Sequence, residues 1–318
     1  MSLESQFDAI RTSAAVYPLT SRAFLRITGS DATRWLNGMV TNDIAALAPG
    51  EGNYNFLLNA QGRIQGDCTI YRERGDGTTY LLETDKSQIE AIQAHLDKFI
   101  IMDDVELAPA LADKSGLLLI GPSVLGTLDA ALIWPPDPIS LSYGDISDRP
   151  IVLRIALDQV EIWGTTNDIS WVRSFFSPQI NPEISPDTFE AFRILSGTPK
   201  FGIDITEKYL PQETAQNQAL HFNKGCYLGQ EIVERIHSRG QVHRTFTQFT
   251  LSDEMPQLPA QLESTGKPAG ELTSAALIGG TLYALGYARR ELLETHQPLT
   301  YLGGIATPST APKLTTNH

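Results

Sequence analysis

Cysteine is nearly absent from this chain. Cys68 and Cys226 are the two thiols in 318 residues, and a pair so far apart fits a reducing compartment better than a disulfide framework. Cations are also in deficit: 24 lysines and arginines stand against 37 aspartates and glutamates, a formal net charge of −13. That balance argues against wholesale binding to nucleic acid or to an anionic membrane, both of which attract basic surface. No apolar run approaches the ~20 residues that a spanning helix needs. The first residues, Met1-Ser2-Leu3-Glu4-Ser5-Gln6-Phe7-Asp8, lack the basic stretch and apolar core of a signal peptide. No motif recurs at a fixed solenoid period. Together these absences predict a soluble, cytoplasmic protein. The apolar content of 42% is enough for real cores, and the length suggests about two domains.

Leu3, Phe7 and Ile10 recur at helical spacing and predict a first helix. Phe24 to Ile27 reads as a strand ending at Gly29, after which Ser30 or Asp31 caps a short helix carrying Trp35 and Leu36. Tyr54 to Leu58 and Arg63 to Tyr71 read as strands joined by Asn59-Ala60-Gln61-Gly62, a hairpin signal. A strand from Thr79 to Glu83 leads to a helix that Asp85 can cap, with Ile89, Ile92, Leu96 and Phe99 on its apolar face. Leu117 to Ile120 is a short strand, residues 134–150 an irregular connection, and Ile151–Leu157 with Gln159–Trp163 a second hairpin. Ser185-Pro186 opens a helix running to Ser196, with Gly197 just past its end. This order predicts an α+β fold with antiparallel sheets over residues 1–244. From 245 to 302 short strands punctuated by proline and glycine form a small all-β module, and 303–318 reads as a mobile tail.

The chemistry concentrates in Lys224-Gly225-Cys226-Tyr227-Leu228-Gly229-Gln230-Glu231, followed by Arg235. Lysine, arginine and a helix start all lower a thiol's pKa, and Gly229 to Ile236 reads as a helix. Gly225 allows close backbone approach, while Glu231 and Arg235 are four apart and can pair. The alternative is a small thiol packed in a turn, and residue types alone leave both open. No metal site is expected, because Cys226 has no second cysteine nearby and His237 and His243 are poorly spaced as ligands. Cys68 reads as a half-buried strand residue. Asp67 either faces solvent or serves a heterocycle edge or a proton transfer. Arg193 and Lys200 flank a tight turn where a carboxylate tail could be clamped, unless Arg193 simply compensates a helix end. Arg235, His237, Arg239, His243 and Arg244 form one basic cluster. It reads as an RNA-phosphate contact or as a solvated face, and the net charge favours the second.

Taken together, the cysteine motif and Arg235 resemble the signature of the YgfZ-type folate-binding proteins, relatives of the T-protein (aminomethyltransferase) of the glycine cleavage system. Gly29-Ser30-Asp31-Ala32, Trp35-Leu36-Asn37-Gly38 and Thr41-Asn42-Asp43 are similar to that family's N-terminal segment. Asn59-Ala60-Gln61-Gly62-Arg63-Ile64 resembles its first hairpin, and Arg193 to Gly202 with Pro211-Gln212-Glu213 the stretch before the cysteine motif. The likeness spans roughly residues 20 to 240, and the β module fits the family's small barrel in position.

The resemblance implies three subdomains around a central channel that holds tetrahydrofolate, plus a small C-terminal β-barrel. It implies a role in assembling or repairing iron–sulfur clusters, and so in cluster-dependent tRNA modification. The implied partners are folate and iron–sulfur proteins or cluster-assembly factors. Cys226 is then the residue on which function turns, activated by Lys224 or Arg235. Gly225, Tyr227 and Gly229 belong to its turn, and Gln230 and Glu231 hold that turn or face the substrate. Asp67 and Glu213 are candidates for the pterin's donor edge, Arg63 and Arg193 for the glutamate tail. The T-protein has two adjacent aspartates in its hairpin strand where this chain has Gly66-Asp67. One carboxylate beside a thiol motif argues for folate binding without aminomethyl transfer; the competing reading is an active aminomethyltransferase.

Overall fold

A computed structural model describes residues 1–75, 78–124, 152–156, 159–174, 182–295 and 297–309. The chain begins α1 (Leu3–Thr12), β1 (Ala15–Leu19), β2 (Arg22–Thr28), α2 (Ala32–Met39), β3 (Gly52–Leu58) and β4 (Ile64–Arg72). It continues β5 (Tyr80–Asp85), α3 (Ile89–Asp97), β6 (Glu106–Ala110), β7 (Ser115–Ile120), β8 (Val152–Ala156) and β9 (Gln159–Gly164). Next come α4 (Thr166–Arg173), α5 (Pro186–Leu195), short helical turns at Pro211–Thr214 and Asn217–Ala219, and α6 (Gln230–Arg239). The remainder is β10 (Arg244–Leu251), β11 (Ala260–Ser264), β12 (Lys267–Ile278), β13 (Thr281–Arg289), α7 (Arg290–Glu294), β14 (Leu299–Tyr301) and β15 (Gly304–Ser309).

The strands form a five-stranded sheet, order β3-β4-β5-β2-β6, a four-stranded sheet, order β1-β7-β9-β8, and a closed six-stranded barrel. Side-chain alternation sorts the five-stranded sheet into two unlike faces. One face sends Leu25, Ile27, Leu57, Cys68, Ile70 and Leu82 into a core shared with α2 and α3. The other sends Phe24, Tyr71 and Leu81 toward Leu118 and Trp163 of the four-stranded sheet and Phe192 of α5. Phe56 and Leu58, at the β3 end, join Tyr227 and Val233 near α6 and Phe246 and Tyr287 of the barrel. Each such fully buried side chain contributes ~1.5–3 kcal/mol relative to exposure, so the hairpin, α6 and the barrel are held as one packed group.

The expected α+β architecture with a C-terminal barrel is what the chain adopts. Details differ for local reasons. Asp31 precedes α2, but its carboxylate accepts from the Asp104 N–H (2.9 Å) and from Arg34 instead of capping the helix. Asp85 likewise serves the preceding turn, accepting from the Ser87 N–H and hydroxyl, while Gln88 stands at the start of α3. Cys68, expected to be half-buried, is buried on the helix-covered face. The barrel runs past Leu302: β15 pairs with both β14 and β10. Its sequence, Gly304 to Ser309, has Ala306 as its buried residue, so sheet closure rather than apolar pattern makes it a strand. The connection expected at 134–150 lies outside the described residues.

Candidate functional site

The cysteine motif forms a loop entering α6, and its conformation follows from three anchors. Gly229 adopts φ +81°, a left-handed backbone that glycine takes at little cost. A Cβ there would stand 2.5 Å from the Asn59 carbonyl and 2.9 Å from Leu58 Cβ. Gly62, at the hairpin tip, is equally close to α6, since a Cβ would lie 2.8 Å from that of Ile232. The Leu228 N–H donates to the Gly38 carbonyl at the end of α2 (3.0 Å). Tyr227 and Gln230 clasp each other: the Gln230 N–H donates to the Tyr227 carbonyl (3.2 Å), and the Tyr227 N–H to Gln230 Oε1 (3.3 Å).

Lys224 supplies the third anchor. Its side chain is only 9% exposed, and its ammonium donates to the carbonyls of Val40 (2.8 Å) and Asn42. Burial pushes that ammonium down to about 7, with Asp43 acting in the opposite sense. The ammonium also lies 5.1 Å from the centre of the Tyr227 ring. Burial first and Glu234 second raise the Tyr227 phenol, so it stays protonated. Cys226, by contrast, is exposed. Gly225 beside it is also exposed, and a Cβ at that position would meet nothing within 4 Å. The loop therefore presents an approachable thiol on a rigid base. Glu231 and Arg235 are both exposed, and no ion pair between them is among those of the described residues.

A second group of polar side chains lies on the face of the five-stranded sheet turned toward α5. Asp67 on β4 accepts from the Tyr54 hydroxyl (2.6 Å) and from the Gln88 amide (2.8 Å), while its own N–H donates to Gln88 Oε1 (3.1 Å). On the adjacent strand β5, Glu83 accepts from Arg22 (2.8 Å) and from the Tyr71 hydroxyl (3.0 Å). Burial opposes the Arg22 charge, but the carboxylates of Glu83, Glu161 and Asp67 outweigh it and raise its pKa. Burial raises the Asp85 and Glu190 carboxyls, but hydrogen bonds from Ser87 to the first and from Arg193 to the second outweigh it and lower them, with Lys200 adding to both. Residues from β2, β4, β5, β9 and α5 thus converge on one polar region. Arg22, Tyr54, Glu83 and Gln88 carry no sequence signal of their own; their strand neighbours bring them to Asp67.

The other expected folate contacts lie elsewhere in the network. Arg193 is buried and fully engaged: with Glu190, with Asp204 (2.6 Å), with the Thr198 carbonyl (2.6 Å) and with Ser274 of β12 (2.9 Å). Glu213 accepts from Arg244 (2.9 Å) and the Leu210 N–H (2.9 Å). Arg63 donates to the Lys208 carbonyl (2.7 Å). Among the described residues no three metal-binding side chains cluster, and no helix is long and apolar enough to cross a membrane.

Comparison with known proteins places this geometry. Residues 2–135 match the GCVT N-terminal domain family. Over 267 residues the chain is 27% identical to the Coccidioides immitis "Iron-sulfur cluster assembly factor IBA57 homolog, mitochondrial", covering 79% of this chain and 57% of that protein. The human counterpart is 26% identical over 262 residues, 76% of this chain and 68% of its own. An aminomethyltransferase from Nostoc sp. is 24% identical over 92% of this chain and 82% of its own. The chain spans less than two thirds of several of these assembly-factor relatives. Among solved structures, the glycine cleavage system aminomethyltransferase T from Bartonella henselae superposes with a TM-score of 0.85 at 17% identity, covering 99% of this chain and 90% of that one. Residues 2–135 thus match the GCVT N-terminal domain family, and the described residues share the fold of the glycine cleavage system aminomethyltransferase.

Proposed function

We propose that this protein is a tetrahydrofolate-binding factor of the YgfZ type that supports iron–sulfur cluster assembly or repair, and through it cluster-dependent tRNA modification, with Cys226 as its working residue. The observation that carries the reading is the exposed thiol on an otherwise locked loop. Lys224, Leu228 and Gly229 are each fixed against α2, its following segment or the hairpin, yet the thiol between them is open. Such a thiol is suited to meet a macromolecular partner, an iron–sulfur protein or cluster-assembly factor, rather than a substrate enclosed within the fold. The names of several relatives point to the same activity. Those names also place the relatives in mitochondria, whereas the sequence reading favours the cytoplasm.

The polar face around Asp67 fits a folate. A carboxylate flanked by a phenol and an amide suits the amino and ring N–H groups of a pterin, and Phe24 stands directly across the β2–β5 ladder from the neighbouring Glu83. Bound folate would supply a one-carbon carrier or a redox-active pterin; Asp67, Tyr54 and Gln88 would hold and orient its donor edge. Cys226→Ala should abolish support of cluster-dependent enzymes in a complementation assay while tetrahydrofolate affinity, read by titration, stays unchanged. Full activity of the variant overturns the thiol role. Absence of saturable folate binding up to millimolar ligand overturns the cofactor.

A second reading, aminomethyl transfer to tetrahydrofolate, draws on the whole-chain likeness to aminomethyltransferases. Formation of methylene-tetrahydrofolate with a lipoyl carrier protein, lost in Asp67→Asn, would establish it in place of the first.

A further inference from the structure

The barrel holds a charged arrangement that neither the thiol nor the polar face uses. In the β10–β13 ladder, Arg244 stands directly opposite Arg289. Like charges so placed across an antiparallel pair are destabilising, and both side chains line one cleft of about 460 Å³. The two arginines are not equivalent. Arg244 is held by Glu213 (2.9 Å) and donates to the Lys208 carbonyl (3.2 Å). Arg289 is half exposed, comes no nearer to a carboxylate than 3.8 Å, from Glu291, and donates no hydrogen bond among the described residues.

The surroundings are richer in cations than the chain as a whole. Arg63 donates to the same Lys208 carbonyl as Arg244, and the Lys208 ammonium pairs with Glu271 (2.8 Å). Arg63, Lys208, Arg244 and Arg289 thus gather from four separate segments, opposed by Glu213 and Glu271, in a protein whose net charge is −13. Beyond them Arg290 is neutralised by Glu294 (2.8 Å). Glu271 is already committed to Lys208 and to the Tyr209 hydroxyl (2.6 Å). What remains to be satisfied is a planar guanidinium fork, the geometry that binds phosphate bidentately. Pro259, Pro268 and Ala269 supply an apolar wall beside it. The volume falls within the ~300–1,000 Å³ of ordinary small-molecule sites.

We propose that this cleft binds a small phosphate monoester, with Arg289 taking the phosphate and the proline-lined wall taking the organic body. A phosphate monoester carries about −1.5 to −2 charges near neutrality, which answers the Arg244–Arg289 opposition better than a single carboxylate would.

The test uses the full chain and three probes, inorganic phosphate, phenyl phosphate and phenol, followed by ligand-observed NMR titration. Saturable binding of both phosphates is expected, with phenyl phosphate tighter by about tenfold and phenol showing no saturation. Arg289→Ala should weaken both phosphates by at least about tenfold without lowering the unfolding temperature, since it gives up one exposed 3.8 Å pairing with Glu291 and relieves the opposition to Arg244. Absence of saturation with either phosphate, or equal binding by Arg289→Ala, overturns the site. Phenol binding as tightly as phenyl phosphate overturns the role of Arg289.

Discussion

Lys224 and Cys226 lie two residues apart on one loop, and one is buried while the other is exposed. The lysine ammonium turns inward to the carbonyls of Val40 and Asn42, so it fastens the loop to the segment after α2. In an unfolded chain a lysine titrates near ~10.4. Burial brings this one down to about 7. Between those values the unfolded chain binds more protons than the folded one, so the contribution of Lys224 to stability rises with pH. It is least favourable below pH 7, where a charge is buried. Lys224→Met should be less stable overall, because two carbonyls lose their donor. It should also lack that rise, so the difference in unfolding temperature between wild type and variant should widen from about pH 6 to about pH 9. Parallel pH profiles would refute the assignment.

Gly229 and Gly62 face each other where α6 meets the hairpin tip. Gly229→Ala places a Cβ 2.5 Å from a backbone carbonyl and on a positive φ. The left-handed conformation costs ~1–2 kcal/mol and the overpacking a further ~1–3 kcal/mol. Chemical denaturation should show a loss of about 2–5 kcal/mol. A variant as stable as wild type would mean that the loop can shift freely off the hairpin.

Tyr54→Phe removes a 2.6 Å hydrogen bond to Asp67. A bond to a charged acceptor is worth ~1.5–3 kcal/mol, and Gln88 still holds the other carboxylate oxygen. Tetrahydrofolate affinity measured by calorimetry should fall about tenfold or more, with Asp67→Asn at least as impaired. Unchanged affinity in both variants would remove this face from folate binding.

Arg193→Ala leaves Asp204, which is wholly buried, without its cation. Breaking a buried pair by removing one partner costs ~3–5 kcal/mol. A large drop in unfolding temperature is expected, with Arg193→Lys only partly restoring it, because one ammonium cannot reach Glu190, Asp204 and Ser274 together. If Arg193→Ala instead melts like wild type and loses folate, the arginine belongs to the ligand after all.

What could be read from the sequence was local. Asn59 to Gly62 has the residues of a hairpin turn, Ser185-Pro186 and Gly197 bracket α5, and the cysteine motif stood out without any fold. What could not be read depends on partners distant in sequence. Arg22 and Glu83 are ordinary strand residues until β5 pairs with β2. Arg193 read as a clamp for a carboxylate tail or a helix-end charge, whereas Glu190, Asp204 and, from the barrel, Ser274 already hold it. Asp85 offered a cap that Ser87 claimed first. The β15 strand was invisible because its pattern is weak and its partners, β10 and β14, define it.

That last strand sets the order of events during synthesis. Gln248 on β10 pairs with Ser309 on β15, so the barrel stays open until nearly all of its residues have left the ribosome. At ~5–20 residues per second, the wait from β10 to β15 lasts several seconds. Throughout it, β10, which carries Phe249, offers an unpaired edge, a surface prone to pairing with other chains. A nascent chain stalled before Gly304 would be a substrate for chaperones, however well its first two sheets had formed.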